Sequence, residues 1–182
     1  MTTANKITIL RVLLIPAFMT CMLLDFPHSN LIALGIFVLA FATDGLDGYI
    51  ARKYDQISDF GKFMDPLADK LLVTSAMLIF VQWGRLPAWA LMVVLTREFA
   101  VSGLRMMAAS TGSVIAAGLS GKIKTVVTFI GLSLMMTTFH DWAILDTITV
   151  DTLAIAAILI TTVYSGIEYF AKNHRVLTAN TL

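Results

Sequence analysis

Asp44 and Asp47 stand three residues apart, and Asp65 and Asp69 four apart, in the stretch TDGLDGYIARKYDQISDFGKFMDPLADK from Thr43 to Lys70. On a helix, either spacing puts both side chains on one face, about one turn from each other. A turn around Tyr54 to Ser58 would fold the two segments into a hairpin, and four carboxylates would then converge. Left unbalanced they would repel, each raising the pKa of the others. Hard oxygen donors of this kind suit Mg²⁺ or Mn²⁺. Carboxylates from two faces can hold a pair of such ions ~3.5–4 Å apart, a geometry that clamps the attacking and leaving oxygens of a phosphoryl displacement. The stretch contains no His or Cys that would point to zinc.

The elements that must position these carboxylates are built for lipid. The chain of 182 residues is 58% hydrophobic and 14% charged, with mean hydropathy +0.82, well above the apolar content of soluble domains. Apolar runs near the length of a membrane-crossing helix recur at about Ile7–Leu24, Leu31–Ala51, Gly61–Val81, Pro87–Ala109, Gly121–Phe139 and Val150–Phe170. They are continuous and do not alternate, so helices are the spanning element expected, not barrel strands. The expectation is an all-α integral membrane protein of six transmembrane helices, folded as one domain over residues 1–182.

Orientation follows from Lys and Arg, which stay on the cytoplasmic side during insertion. Lys6 and Arg11 lie at the start of the first run, Arg52, Lys53 and Lys62 between the second and third, Arg105, Lys122 and Lys124 around the link from the fourth to the fifth, and Lys172 and Arg175 after the sixth. The opposite-side loops carry only Arg85. Both termini, and the acidic stretch, are therefore expected to be cytoplasmic. The first run has no small-residue cleavage site and does not read as a secretory signal. Cys21 is the single cysteine, so an intrachain disulfide and a thiolate cluster are excluded, and a net charge of +1 carries no nucleic-acid footprint.

Gly48 follows Asp47, and Gly61 opens the third run. Each costs about 1 kcal/mol relative to Ala in a helix, which asks for a reason. Close approach of a phosphate is one; packing of transmembrane helices is the other. Arg52 has the planar fork that suits phosphate, although alone it would also serve as a topology anchor.

These residues carry a resemblance. Asp44-Gly-Leu-Asp47-Gly48-Tyr-Ile-Ala51-Arg52, then eight residues, Gly61, three residues, Asp65, three residues and Asp69 match without a gap the signature D-x-x-D-G-x-x-A-R-x8-G-x3-D-x3-D of the CDP-alcohol phosphatidyltransferases. With eight fixed positions the pattern is very specific. The resemblance implies a six-helix fold, usually a homodimer, in which Asp44, Asp47, Asp65 and Asp69 hold two divalent cations, commonly Mg²⁺, and Asp69 is the general base. It further implies that Gly48, Arg52 and Ser58 contact the nucleotide end of a CDP-lipid, and that Asn5 and Thr8 belong to an N-terminal nucleotide-contact segment.

The wider likeness, through NKITILRVLLIPAF, LTREFAVSGLRMMAA and GKIKTVV, looks like the bacterial branch of the family that joins glycerol 3-phosphate to CDP-diacylglycerol at the cytoplasmic membrane. It covers about residues 5 to 128, and one departure is Gly45, where that branch usually has Trp. A phosphorylated acceptor needs cations, and Arg97, Arg105 and Lys122 are the candidates. Arg97 could equally be a structural ion pair with Glu98, and Lys122 and Lys124 could be topology signals. Two rivals stand beside this reading: the same chemistry with another acceptor, such as inositol phosphate, serine or phosphatidylglycerol, and a divalent-cation transporter. Clustering of the aspartates toward one membrane face, without an inverted repeat, speaks against the transporter. Trp83, Trp89 and Trp142 are expected as interface anchors; His28, His140 and His174 are scattered and receive no role.

Overall fold

The computed structural model describes residues 3–24, 26–53, 59–110, 115–116, 118–137, 143–145 and 148–174. At 3–7, 44–53, 59–63, 65–66, 69, 110, 143–145 and 148 the backbone alone is described. Six helices run in order: α1 (Thr3–Leu23), α2 (Ser29–Lys53), α3 (Asp59–Gln82), α4 (Ala88–Ser110), α5 (Leu119–Met135) and α6 (Val150–Lys172). Each overlaps one of the apolar runs expected from sequence. Between α5 and α6 lies something the apolar runs did not suggest, a small antiparallel ribbon of β1 (Ala143–Leu145) and β2 (Ile148–Thr149), so the chain is not purely helical. Helix α5 ends at Met135, short of the expected Phe139. The Arg85 guanidinium donates to the Met135 carbonyl at 2.5 Å, satisfying one of the carbonyls that a helix C-terminus leaves open.

The chain forms two compact units, residues 1–84 with 136–138, and 85–135 with 139–182. In the first, α1 packs against both α2 and α3. Phe18 of α1 and Phe37 of α2 are fully buried with ring centroids 5.6 Å apart. Ala33, Ala40, Ala68 and Ala76 are also fully buried, and small side chains of this kind let apolar helices approach closely. Pro16 interrupts the α1 hydrogen-bond ladder, and the Thr20 hydroxyl donates to its carbonyl at 2.8 Å. Gly84, at φ +71°, makes the turn after α3, a conformation that a residue with a Cβ rarely adopts.

In the second unit α6 packs against α4 and α5. A Cβ at Gly131 of α5 would stand 3.0 Å from Ile158 Cδ1 and 3.5 Å from Ala154 Cβ, so this glycine is what lets α5 lie directly on α6. Val101 and Leu104 of α4 meet Tyr169 of α6 in a buried cluster. Thr149 caps α6, accepting from the Thr152 amide, and Asp151 follows in its first turn, where an anion favours the helix dipole.

Outward, the helices present large apolar side chains to their surroundings. Leu13 is 63% exposed, Phe99 66% and Ile160 69%. Surfaces this apolar mark contact with lipid or another protein. Among the described residues, Val150–Lys172 is long and apolar enough to cross a membrane, and shorter apolar helical stretches cover Thr8–Leu23, Ser29–Thr43 and Lys70–Gln82. Some hydroxyls in the helices bond back to carbonyls of the preceding turn, as Ser75 does to Leu72 and Thr128 to Lys124, both at 2.8 Å, which lowers the penalty of a polar group in apolar surroundings. Trp83 is half-exposed and meets the Phe80 ring edge-on, Trp89 is exposed, and Trp142 lies outside the described residues.

Candidate active site

Asp44, Asp47, Gly48 and Arg52 lie on the C-terminal half of α2, and Asp65 and Asp69 on the N-terminal half of α3. With five residues between Lys53 and Asp59, the link can span at most about 20 Å. The acidic ends of the two helices therefore sit at the same end of the first unit. Both pairs are helical, so each shares a face as the spacing required. The side chains of Asn5, Asp44, Asp47, Arg52, Asp65 and Asp69, and the whole of residues 54–58, where the turn was expected and Ser58 falls, lie outside the described residues.

Helix α1, which touches both acid-bearing helices, contributes two buried polar groups one turn apart. Thr8 is 1% exposed and Arg11 is 0% exposed. Arg11 was expected at a membrane edge as a topology signal, and the structure places it inside the packing instead. A guanidinium taken wholly out of water is costly unless it is paired or hydrogen-bonded. The sequence did hold a signal for Arg11, since Asn5, Thr8 and Arg11 recur every third residue along one helix face.

The second unit holds the candidate cations, and it sorts them differently from the sequence. Arg97 and Lys124 meet on one oxygen: Glu98 Oε1 accepts from Arg97 Nη1 at 2.9 Å and from Lys124 Nζ at 2.5 Å. The three side chains are 13%, 21% and 8% exposed for Arg97, Glu98 and Lys124. Arg97 thus makes the Glu98 ion pair that was one of its two readings. Lys124, which could have been a topology signal, is buried. Arg97 also runs between two glycines. A Cβ at Gly166 would stand 3.2 Å from Arg97 Cγ, and one at Gly121 3.7 Å from its Nη2.

Arg105 is not part of this trio. Its Nε donates to the Tyr169 hydroxyl at 3.0 Å, and its guanidinium carbon lies 5.4 Å from the Tyr169 ring centroid, a cation–π arrangement. Lys122 is exposed. A hollow of about 280 Å³ beside Tyr169 is lined by Gly118, Ser120, Glu168, Lys172 and Asn173 among others, with Lys172 paired to Glu168 one turn away. Sequence reasoning missed Tyr169 and Gly166, since neither type nor local spacing marks them.

Comparison with known proteins adds four findings. Residues 1–165 match the family model described as CDP-alcohol phosphatidyltransferase. The chain is 43% identical, over 95% of its own length and 95% of the relative's, to a CDP-diacylglycerol–glycerol-3-phosphate 3-phosphatidyltransferase of Bacillus subtilis (strain 168). A protein of that name from Haemophilus influenzae is 37% identical over 90% of this chain and 88% of its own. A probable phosphatidylglycerophosphate synthase of Mycobacterium tuberculosis is 34% identical over 93% of this chain and 80% of its own.

Proposed function

The chain belongs to the CDP-alcohol phosphatidyltransferase family, and from that membership we propose that it transfers the phosphatidyl group of CDP-diacylglycerol to glycerol 3-phosphate and releases CMP. The observation that carries this reading is the 43% identity to a relative of that activity over nearly the whole of both chains. The structure supports it by setting the signature aspartates on consecutive helices whose acidic ends share one end of a unit.

The donor set of Asp44, Asp47, Asp65 and Asp69 consists of carboxylate oxygens alone, which fits a pair of hard divalent cations such as Mg²⁺ or Mn²⁺. Such cations, when bound, draw charge from the pyrophosphate and lower the cost of releasing CMP. The chain's own residues do the rest. Asp69 takes the proton from the C1 hydroxyl of glycerol 3-phosphate as that oxygen bonds to the phosphorus bearing the diacylglycerol, and the bond to CMP breaks. Arg52 offers its fork to the phosphates, Gly48 lets them approach the backbone, and Asn5, Thr8 and Ser58 contact the nucleotide end. Arg97, Arg105 and Lys122 receive the acceptor phosphate.

Six membrane-crossing helices, both termini in the cytoplasm and one domain over residues 1–182 complete the reading, with the active site on the cytoplasmic side of a bacterial membrane and a homodimer as the assembly. Support for this topology comes from the Lys and Arg asymmetry of the loops and from the exposed apolar faces of the helices. Helix α5, at 17 residues, is about 26 Å long, near the lower limit for a span.

The deciding experiment measures CMP release by the purified protein from CDP-diacylglycerol with Mg²⁺, offering glycerol 3-phosphate, inositol phosphate, serine and phosphatidylglycerol in turn. Release with glycerol 3-phosphate alone is the expected result; release with another acceptor keeps the family and overturns the substrate.

A second expectation concerns Gly166. Alanine there favours the helix by about 1 kcal/mol but crowds the Arg97 stem. Gly166→Ala should therefore raise the KM for glycerol 3-phosphate several-fold, with the KM for CDP-diacylglycerol unchanged. An unchanged KM would remove Arg97 from the acceptor site.

A further inference from the structure

Arg97 and Lys124 come from different helices, α4 and α5, and they approach one another only because a carboxylate stands between them. Glu98 Oε1 accepts from both, at 2.9 and 2.5 Å. All three groups are largely withdrawn from water. In such surroundings two cations without that carboxylate would repel strongly, and Lys124, on a flexible stem, would turn away. The cluster nonetheless keeps one positive charge in excess, two cations against one anion. It also keeps an unused donor, because Arg97 Nε is buried with no hydrogen-bond partner among the described residues. Gly166 and Gly121 flank the stem and head of Arg97, so its position is set by the groove and by Glu98 together.

From this arrangement we infer that Glu98 is a positioning residue for the acceptor phosphate: it holds Arg97 and Lys124 together as a preorganised, singly positive pair, and Lys124 is a phosphate-site cation in its own right. The inference rests on the reading that Arg97 meets the acceptor phosphate, and it extends that reading to two residues whose roles were otherwise structural. A preformed cluster selects a phosphorylated acceptor over a neutral alcohol, since only an anion completes its charge.

The test is steady-state kinetics of Glu98→Gln, Glu98→Asp and Lys124→Met in the full-length protein, with Arg97→Ala and the Arg97→Ala/Glu98→Gln double variant for comparison. Glutamine keeps the shape and loses the charge. Expected is a rise of about tenfold or more in KM for glycerol 3-phosphate, as for misplacement of a substrate-orienting group, with KM for CDP-diacylglycerol unchanged. Glu98→Asp should recover part of the loss, Lys124→Met should match Glu98→Gln, and the double variant should be no worse than Arg97→Ala alone. A lower melting temperature with unchanged KM in Glu98→Gln would mean a purely structural pair and overturn the inference. A fall in KM would also overturn it, by making Glu98 a competitor of the phosphate. Failure of Glu98→Gln to fold leaves Glu98→Asp and Lys124→Met to decide on the same KM criterion. If the parent protein turns over a different acceptor, the function reading has failed separately; the KM of that acceptor in these variants then supports the inference if it rises for a phosphorylated compound and overturns it otherwise.

Discussion

Asp69→Asn is expected to lower kcat for CMP release by about 10²- to 10⁴-fold, the range over which a positioned general base contributes. Asparagine keeps one oxygen for a cation and the volume of the side chain, so the loss falls on proton transfer. Asp44→Asn is the control that separates the two duties of the acidic set, because Asp44 is assigned to the cations alone. Raising Mn²⁺ should recover a large part of Asp44→Asn activity and little of Asp69→Asn activity. Mn²⁺ binding, followed by paramagnetic resonance without any substrate, should weaken in both variants. If Asp69→Asn kept more than a tenth of the parent rate at saturating Mn²⁺, the proton would have to leave by another route and the base assignment would fall.

The two classes of site residue differ in how far local sequence could reveal them. Asp44, Asp47, Asp65 and Asp69 interrupt apolar helices at helical spacing, and an ionisable group in such a helix is costly enough to be noticed by itself. The six helices were readable from length and composition, because long, continuous apolar runs have few alternatives in lipid. Glu98 as a hub was not readable: its contact with Lys124 joins residues 26 positions apart, and adjacency to Arg97 suggested only the simpler pair. Tyr169 under Arg105 is 64 positions away. The ribbon of Ala143–Leu145 and Ile148–Thr149 is too short for a period of two to stand out. Arg11 misled because a basic residue near the start of a span has a ready explanation at the membrane edge, and only packing of α1 on both neighbours reveals its burial.

Arg85→Met is expected to destabilise the protein by about 3 kcal/mol or more, as removal of one partner from a buried ion pair does. Its Nε and Nη2 bind both Asp151 oxygens, at 2.7 and 2.9 Å, a fork-to-fork geometry that combines charge with direction. The same guanidinium donates to the Met135 carbonyl, so one side chain joins the C-terminal end of α5 to the first turn of α6. The ribbon and the residues around it connect those two ends through the chain; Arg85 connects them directly. Side-chain exposures of 18% and 13% for Arg85 and Asp151 leave the surviving partner poorly hydrated when the other is removed, which is why the loss should exceed that of a surface pair. Asp151→Asn should be nearly as harmful, since it strands the guanidinium and removes an anion from the N-terminus of α6. The double variant Arg85→Met/Asp151→Leu then distinguishes the cause. If stranded charge dominates, the double variant melts higher than either single one in the same detergent, because no unpaired ion remains. If it melts at the sum of the two losses, the pair acts through independent contacts, and the cap on Met135 carries the larger share.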